Sequence, residues 1–222
     1  MEKNLIASDG GFNLYGLSHE SAVNEEGLSV VKVESNYRFT PRLHRHQFYE
    51  VFIVTEGAGL HELDFETTPL VPDKMVCIRP GQLHNISMEP PYSGYFIMFS
   101  SEFLIRHMSH FRPDRLRCFL PPLGSHSLPL TGDITCLCES LFLAQTDKHT
   151  LTGVHCASLL VSLLVQIEKQ YHLSSTEGPS FSRLSNEFLR ILAQSSPPKS
   201  IISDYSDLLH VNPNYLNNVV KK

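Results

Sequence analysis

The stretch Leu43-His44-Arg45-His46-Gln47-Phe48-Tyr49-Glu50-Val51-Phe52-Ile53-Val54-Thr55-Glu56-Gly57 sets two histidines and a glutamate ahead of an apolar run that closes on glycine. Side chains alternate between the two faces of a strand. On an unbulged strand the even-numbered His44, His46 and Glu50 therefore point the same way and line one wall of a pocket. His84 follows the Pro80-Gly81 turn, at the start of what reads as a facing strand. A closed sheet then brings a third imidazole opposite the first two. Arg42 and Tyr49 flank the cluster and are read as weaker pocket candidates near its mouth.

Working outward, Val30 to Val33, Val51 to Val54, Met75 to Ile78 and Tyr95 to Phe99 are short runs rich in β-branched and aromatic residues. Glu56 to Gly59, Pro69 to Asp73 and Pro80-Gly81 read as the breakers between them. Short strands at this spacing predict an antiparallel sandwich or barrel. Leu63 and Phe65 share one strand face, and Glu62 and Asp64 the other, as in a strand with one wet side.

At these residues a family resemblance emerges. His44-x-His46-x3-Glu50-x6-Gly57 resembles the first cupin motif and Pro80-Gly81-x2-His84 the second, over roughly Arg38 to Asn85. The sequence departs from that pattern at Arg38 and Asp73, where glycine is usual, and in the contracted Pro80-Gly81. The resemblance implies an α+β chain whose residues 1–100 form a cupin-like effector-binding β-barrel, a double-sheet jelly roll. Three nitrogens and a carboxylate suit iron, manganese, nickel or zinc. The same groups can equally hydrogen-bond a small organic ligand, or one another. Our reading of His44, His46, Glu50 and His84 is an organic-effector pocket with no metal and no cofactor. The alternative is a metal-dependent cupin enzyme, a dioxygenase or isomerase. No nucleophile elbow, phosphate loop or dinucleotide fingerprint occurs, so the chain is expected not to be an enzyme.

Beyond Ser100 the apolar period lengthens to about 3.6 residues. Ile134, Leu137, Cys138, Leu141 and Phe142 form one helical stripe, and Cys156, Leu159, Leu160, Leu163, Leu164, Ile167 and Tyr171 another. With Val161 and Val165, the second helix is apolar around much of its circumference. Two readings stand: a homodimer contact, or a plain core helix within one chain. Residues 101–173 are accordingly expected to be a helical linker and dimerisation region. Ser174 to Ser180 reads as a linker, and Leu184, Phe188, Ile191 and Leu192 as a further helix face ending at Pro197-Pro198.

Ser200 to His210 predicts a short amphipathic helix with Ile201, Ile202, Tyr205, Leu208 and Leu209 inward. Asn212 is placed to cap the next helix and Pro213 to begin it. Tyr215, Leu216, Val219 and Val220 are expected to form its buried face. Any helical hairpin would satisfy this pattern. However, Ser200 to Lys222 is similar to the first helix-turn-helix of AraC-family regulators, with Val211-Asn212-Pro213-Asn214-Tyr215-Leu216 matching the turn and the start of the recognition helix. That family joins a cupin-like sensor to its DNA reader in the order found here. The resemblance implies a ligand-responsive transcription regulator whose partners are a small-molecule effector and promoter DNA. Asn214, Asn217, Asn218, Lys221 and Lys222 are the DNA-binding candidates, since amides read base edges and lysines neutralise phosphates. The last helix reaches Lys222 without a Gly or Asn cap, so residues 181–222 read as an incomplete DNA-binding domain with weak DNA affinity.

Composition is consistent with this reading. A 41% hydrophobic content with 18% charged residues is that of a globular chain with a core. The net charge of -5 excludes a protein that coats nucleic acid through a broad basic surface. From residue 181 onward five basic residues face three acidic ones. No apolar run has the length of a membrane span, and the first residues lack an export signal, so a cytoplasmic protein is expected. Five cysteines without framework spacing read as reduced, buried thiols.

Overall fold

The computed structural model describes residues 6–9, 12–15, 27–37, 39, 43–63, 66–120, 128–130, 132–174, 184, 187–188, 191–192 and 201–220. Two long antiparallel strands, β5 (Tyr49–Leu63) and β8 (His84–Phe99), pair along almost their whole length and carry the rest of the sheet. Around their upper halves lie β3 (Leu28–Val33), β7 (Lys74–Ile78) and β9 (Leu128–Pro129). Around their lower halves lie β1 (Ile6–Asp9), β2 (Phe12–Tyr15), β4 (His44–His46) and β6 (Glu66–Leu70). All these pairings are antiparallel except β2 with β4, which is parallel. The result is two sheet halves that share β5 and β8, an antiparallel cupin-like arrangement followed by helices.

Glu56 to Gly59, expected to break the chain between two strands, instead lies inside β5. The pairing with β8 shifts register between Val54 and Ala58. Gly57 absorbs the irregularity at φ +98°. A Cβ there would sit 2.6 Å from the Pro91 carbonyl oxygen, so only glycine fits. An extra residue in one strand reverses which side chains face inward beyond it. Above the bulge the even-numbered Glu50, Phe52 and Val54 face the sheet interior, and below it the odd-numbered His61 and Leu63 do. Asp73, at the second position where glycine is usual, takes φ +60° in the turn that enters β7.

Each face of the upper sheet half has its own core. One joins Val33, Phe52, Val54, Leu70, Val76, Ile78, Ile86 and Phe96 inside the folded sheet. The other packs Val51, Ile53, Met75, Ile97 and Phe99 against three helices, α1 (Ser101–His107), α2 (Gly132–Ala144) and α3 (Thr152–Ser174). With apolar layers on both sides, residues 49 to 54 are buried without alternation. Cys77, Cys118, Cys138 and Cys156 are free thiols in this second core or beside it, whereas Cys136 is exposed on α2, contrary to the expectation of buried thiols throughout.

Two short helices follow, α4 (Ile202–Leu208) and α5 (Pro213–Val220). α4 ends with His210 in the left-handed region while the Val211 N–H donates to the Ser206 carbonyl, the hydrogen bond of a Schellman-type stop. Asn212 caps α5 as expected, its Oδ1 accepting from the Asn214 N–H at 2.8 Å. Three expected inward residues are exposed: Ile201, Leu208 and Tyr215. Ile201 is extended and off the helix. Leu208 lies roughly 110° from a buried face centred on Tyr205 and Ser206, and Tyr215 lies about 100° from Leu216. Of the expected linker from Ser174 to Ser180, Ser174 is the last residue of α3 and residues 175–180 lie outside the described residues.

Candidate functional site

His46, Glu50 and His84 meet inside the folded sheet, each almost wholly buried. They do so by a different route from the one expected. His44 and His46 occupy β4, the chain bends at Gln47 and Phe48, and only then does β5 begin. The bend is held by the side chains: the His46 ring stacks on Phe48 at 3.9 Å between centroids, and His46 Nδ1 donates to the Phe48 carbonyl at 2.7 Å. The Gly81 N–H reaches the His46 carbonyl at 2.9 Å, tying the Pro80-Gly81 turn to β4 and setting His84 at the head of β8.

Because Nδ1 of His46 carries the proton, its Nε2 is left as an acceptor. That atom is buried, has no hydrogen-bond donor among the described residues and lies 3.6 Å from Glu50 Oε2. His84 repeats the pattern, with Nδ1 at 3.4 Å from the Gln82 carbonyl and Nε2 at 3.9 Å from Glu50 Oε1. The three acceptor groups lie within 4.8 Å of one another. His44 is half-buried at the rim, pairs in register with His84 across β4 and β8, and sets its ring 4.2 Å from the His84 ring.

Burial decides the charge states. Glu50 sits between Ile78 and Met98 on its neighbouring strands, and desolvation pushes its carboxyl up to about 8. Desolvation, reinforced by the His44 imidazole, lowers His46 to about 3 despite the Phe48 hydrogen bond. His84 is held well below the ordinary histidine value, first by burial and then by its imidazole neighbours. At neutral pH the cluster is therefore uncharged: two imidazole acceptors and one carboxylic acid.

The remaining candidates are dispersed. Tyr49 stands on the opposite face of β5 from Glu50, its ring 5.2 Å from Phe99 and 4.8 Å from Phe119 in the core beneath the helices. Arg42 lies outside the described residues. Asn214 and Asn218 are exposed on α5 and Asn217 is half-buried, while Lys221 and Lys222 lie outside the described residues. The sequence reading missed His61, which is fully buried with its ring 6.3 Å from His84. The signal was Gly57, since a glycine inside a strand pattern marks a bulge. Directly beside the cluster an aromatic group fills the interior, with Phe52 stacked on Phe96 at 4.3 Å and Tyr37, Phe39 and Tyr92 around them.

The donor set suits a divalent cation by type, because two imidazoles with Nδ1–H anchored on backbone carbonyls present Nε2 alongside a carboxylate. His46, Glu50 and His84 would hold such an ion, which would supply Lewis acidity there. Ligands of a tetrahedral ion at about 2.0–2.1 Å stand roughly 3.3 Å apart, so the present spacing would have to close slightly.

An antiparallel sheet folded over a His/Glu cluster at its strand ends defines a cupin-type fold. The chain belongs to the AraC-like ligand-binding domain family, whose family model matches residues 32–204. Among solved structures it is similar to ToxT from Vibrio cholerae, at 8% identity over 89% of this chain and 75% of that one, with a TM-score of 0.47. It is also similar to a cupin protein from Bacteroides fragilis, at 22% identity over 33% of this chain and 64% of that one, with a TM-score of 0.28. The match to KdgF from Halomonas sp. is of the same kind, at 22% identity over 33% of this chain and 70% of that one, with a TM-score of 0.30. No curated protein matches the sequence. Among the described residues no helix is long and apolar enough to cross a membrane.

Proposed function

We propose that this chain is the sensing part of a cytoplasmic, non-enzymatic transcription regulator, which binds a small organic effector at His44, His46, Glu50 and His84. The division proposed is an effector-binding barrel over residues 1–100, helices over 101–173 that pair two copies into a homodimer, and a helix-turn-helix unit over 181–222. The α4–α5 hairpin, with Asn214, Asn217 and Asn218 on its second helix, contacts promoter DNA, helped by Lys221 and Lys222. The observation that carries the reading is His46 Nε2, a buried acceptor with no donor among the described residues, aimed at Glu50 inside the sheet of an AraC-like ligand-binding domain. A buried polar atom without a partner is costly, and a ligand that supplies the donor recovers that cost. Coupling to DNA requires that the effector bind one arrangement of the helices more tightly than another.

A reporter assay in cells tests this. His46→Ala abolishes the effector response while the purified protein keeps its fold; an unchanged response sinks the reading. The competing reading, a metal-dependent cupin enzyme, draws on the same three acceptor groups. It requires stoichiometric iron, nickel, manganese or zinc on elemental analysis, lost in the His44→Ala/His46→Ala double variant.

A further inference from the structure

Four of the chain's 18 lysines and arginines, Arg106, Arg112, Arg115 and Arg117, fall between the last turn of α1 and Arg117, where Asp114 is the one acid. All four are exposed. The chain beneath them is pinned: Phe103, Leu104, Cys118 and Phe119 are buried in the core under the helices, and Phe111 and Leu116 pack against it. Tight turns join these anchors. The Phe111 N–H donates to the Met108 carbonyl at 2.8 Å, Arg115 to Arg112 at 3.2 Å and Leu116 to Pro113 at 3.0 Å. From Phe111 to Cys118 apolar residues are thus held inward, and Arg112, Arg115 and Arg117 line one short exposed rim.

The acids along this stretch are directed elsewhere. Asp114 is half-buried and close enough to the Tyr49 hydroxyl, in the core, for its charge to add to the burial that raises that phenol. Glu168 of α3 accepts the Arg117 backbone N–H at 2.8 Å, and exposed Lys169 follows it in the chain. Glu102 lies in the first turn of α1, at the opposite end of that helix from Arg106.

The α4–α5 hairpin lacks such charge. Residues 201–220, which carry both of its helices, contain no lysine or arginine and two aspartates, Asp204 and Asp207. Amides on α5 can read base edges, but affinity for a duplex comes largely from cations that displace counterions along the phosphates. Arginine suits that task, because its planar fork pairs with two phosphate oxygens at once. A rim already fixed by its anchors also loses less freedom on binding than a mobile loop would.

We propose that Arg112, Arg115 and Arg117 form a contact surface for the phosphate backbone of duplex DNA, supplying charge that the α4–α5 hairpin lacks. This surface rests on the regulator reading above and adds to it a second place where the chain meets DNA.

Fluorescence anisotropy of the whole chain with a fluorescein-labelled duplex of mixed sequence, from roughly 50 to roughly 200 mM salt, tests the proposal. For Arg112→Gln/Arg115→Gln/Arg117→Gln, at an unchanged thermal midpoint, the expected affinity is at least about ten-fold lower at roughly 50 mM salt. The slope of log affinity against log salt is expected to shrink by roughly 2–3. Should the triple variant not fold, Arg112→Gln and Arg115→Gln singly are each expected to reduce the slope by about 0.9. A slope unchanged by these substitutions overturns the proposal, as does tighter binding to labelled poly-L-glutamate than to the duplex. The two readings fail separately. If the arginine variants bind as the unaltered chain does while Asn214→Ala/Asn217→Ala binds more weakly, the surface falls and DNA reading through the hairpin stands. If the unaltered chain binds no duplex at either salt concentration, the DNA reading falls together with the surface.

Discussion

Glu50 shows how strand neighbours set the chemistry of a side chain. With Ile78 and Met98 on either side, its carboxyl is held neutral up to about pH 8 in the folded chain, against an ordinary value of 4.5. A carboxyl whose pKa is raised by folding contributes stability that is complete below its unfolded value and is lost as pH climbs through the folded one. His46, lowered by burial to about 3, acts in the opposite sense, costing stability only as pH falls below 6.5. Between pH 6.5 and 8, Glu50 is thus the member of the cluster whose ionisation weakens the fold, by at most roughly 1.4 kcal/mol per pH unit for one proton. Chemical denaturation of the ligand-free chain across this window should show stability falling with pH, and Glu50→Gln should flatten that fall. A slope of equal size in the variant would place the titrating proton elsewhere.

Strand β5 and helix α2 each depend on one atypical residue. Gly57 lets β5 continue through its bulge, and with it the inward placement of His61 and Leu63. Gly57→Ala combines a left-handed φ with a Cβ 2.6 Å from the Pro91 carbonyl and 2.7 Å from Tyr92 Cβ. It should cost roughly 1–3 kcal/mol, read as a shift of the urea midpoint. Helix α2 is joined to the sheet by Gln145, just past its end: Oε1 accepts from the Val30 N–H at 2.9 Å and Nε2 donates to the Val30 carbonyl at 2.6 Å. The side chain thereby satisfies the backbone of an edge strand that would otherwise present open hydrogen-bonding groups. Glu139 adds contacts to Lys32, at 3.0 Å, and to the Tyr95 hydroxyl. Gln145→Leu leaves the Val30 pair unsatisfied and should cost roughly 1–3 kcal/mol. Hydrogen exchange should report faster exchange at Val30 than at β7 residues; uniform protection would show that Gln145 does not hold this edge.

The helices α1 to α3 and the sheet share one apolar core, so a change inside the folded sheet has a physical path to the helical layer through residues 49 to 54, packed on both faces. Under the proposed function, DNA affinity through the α4–α5 hairpin alone should be weak and fall steeply with salt, because one hairpin offers few phosphate contacts. A gel shift against a version carrying a second DNA-reading unit checks this, and equal affinity would refute it. Much of this architecture was legible in the order of residues. The strand runs, the helical stripes and the Asn212 cap follow from local periodicity and spacing, which short-range sterics impose on any chain. The membership of His46, Glu50 and His84 in one cluster was legible through the motif resemblance instead, since the single unbulged strand expected to align His46 with Glu50 is interrupted at Gln47 and Phe48. The reversal of facing beyond Gly57 and the entry of His61 left one local mark, the glycine itself, while the Gln47–Phe48 bend, the packing of Tyr49 under the helices and the exposure of Ile201, Leu208 and Tyr215 were decided only by the folded chain. Facing and burial depend on which distant strand or helix lies opposite, and a one-residue shift in pairing, invisible to local patterns, exchanges the inside of a strand for its outside.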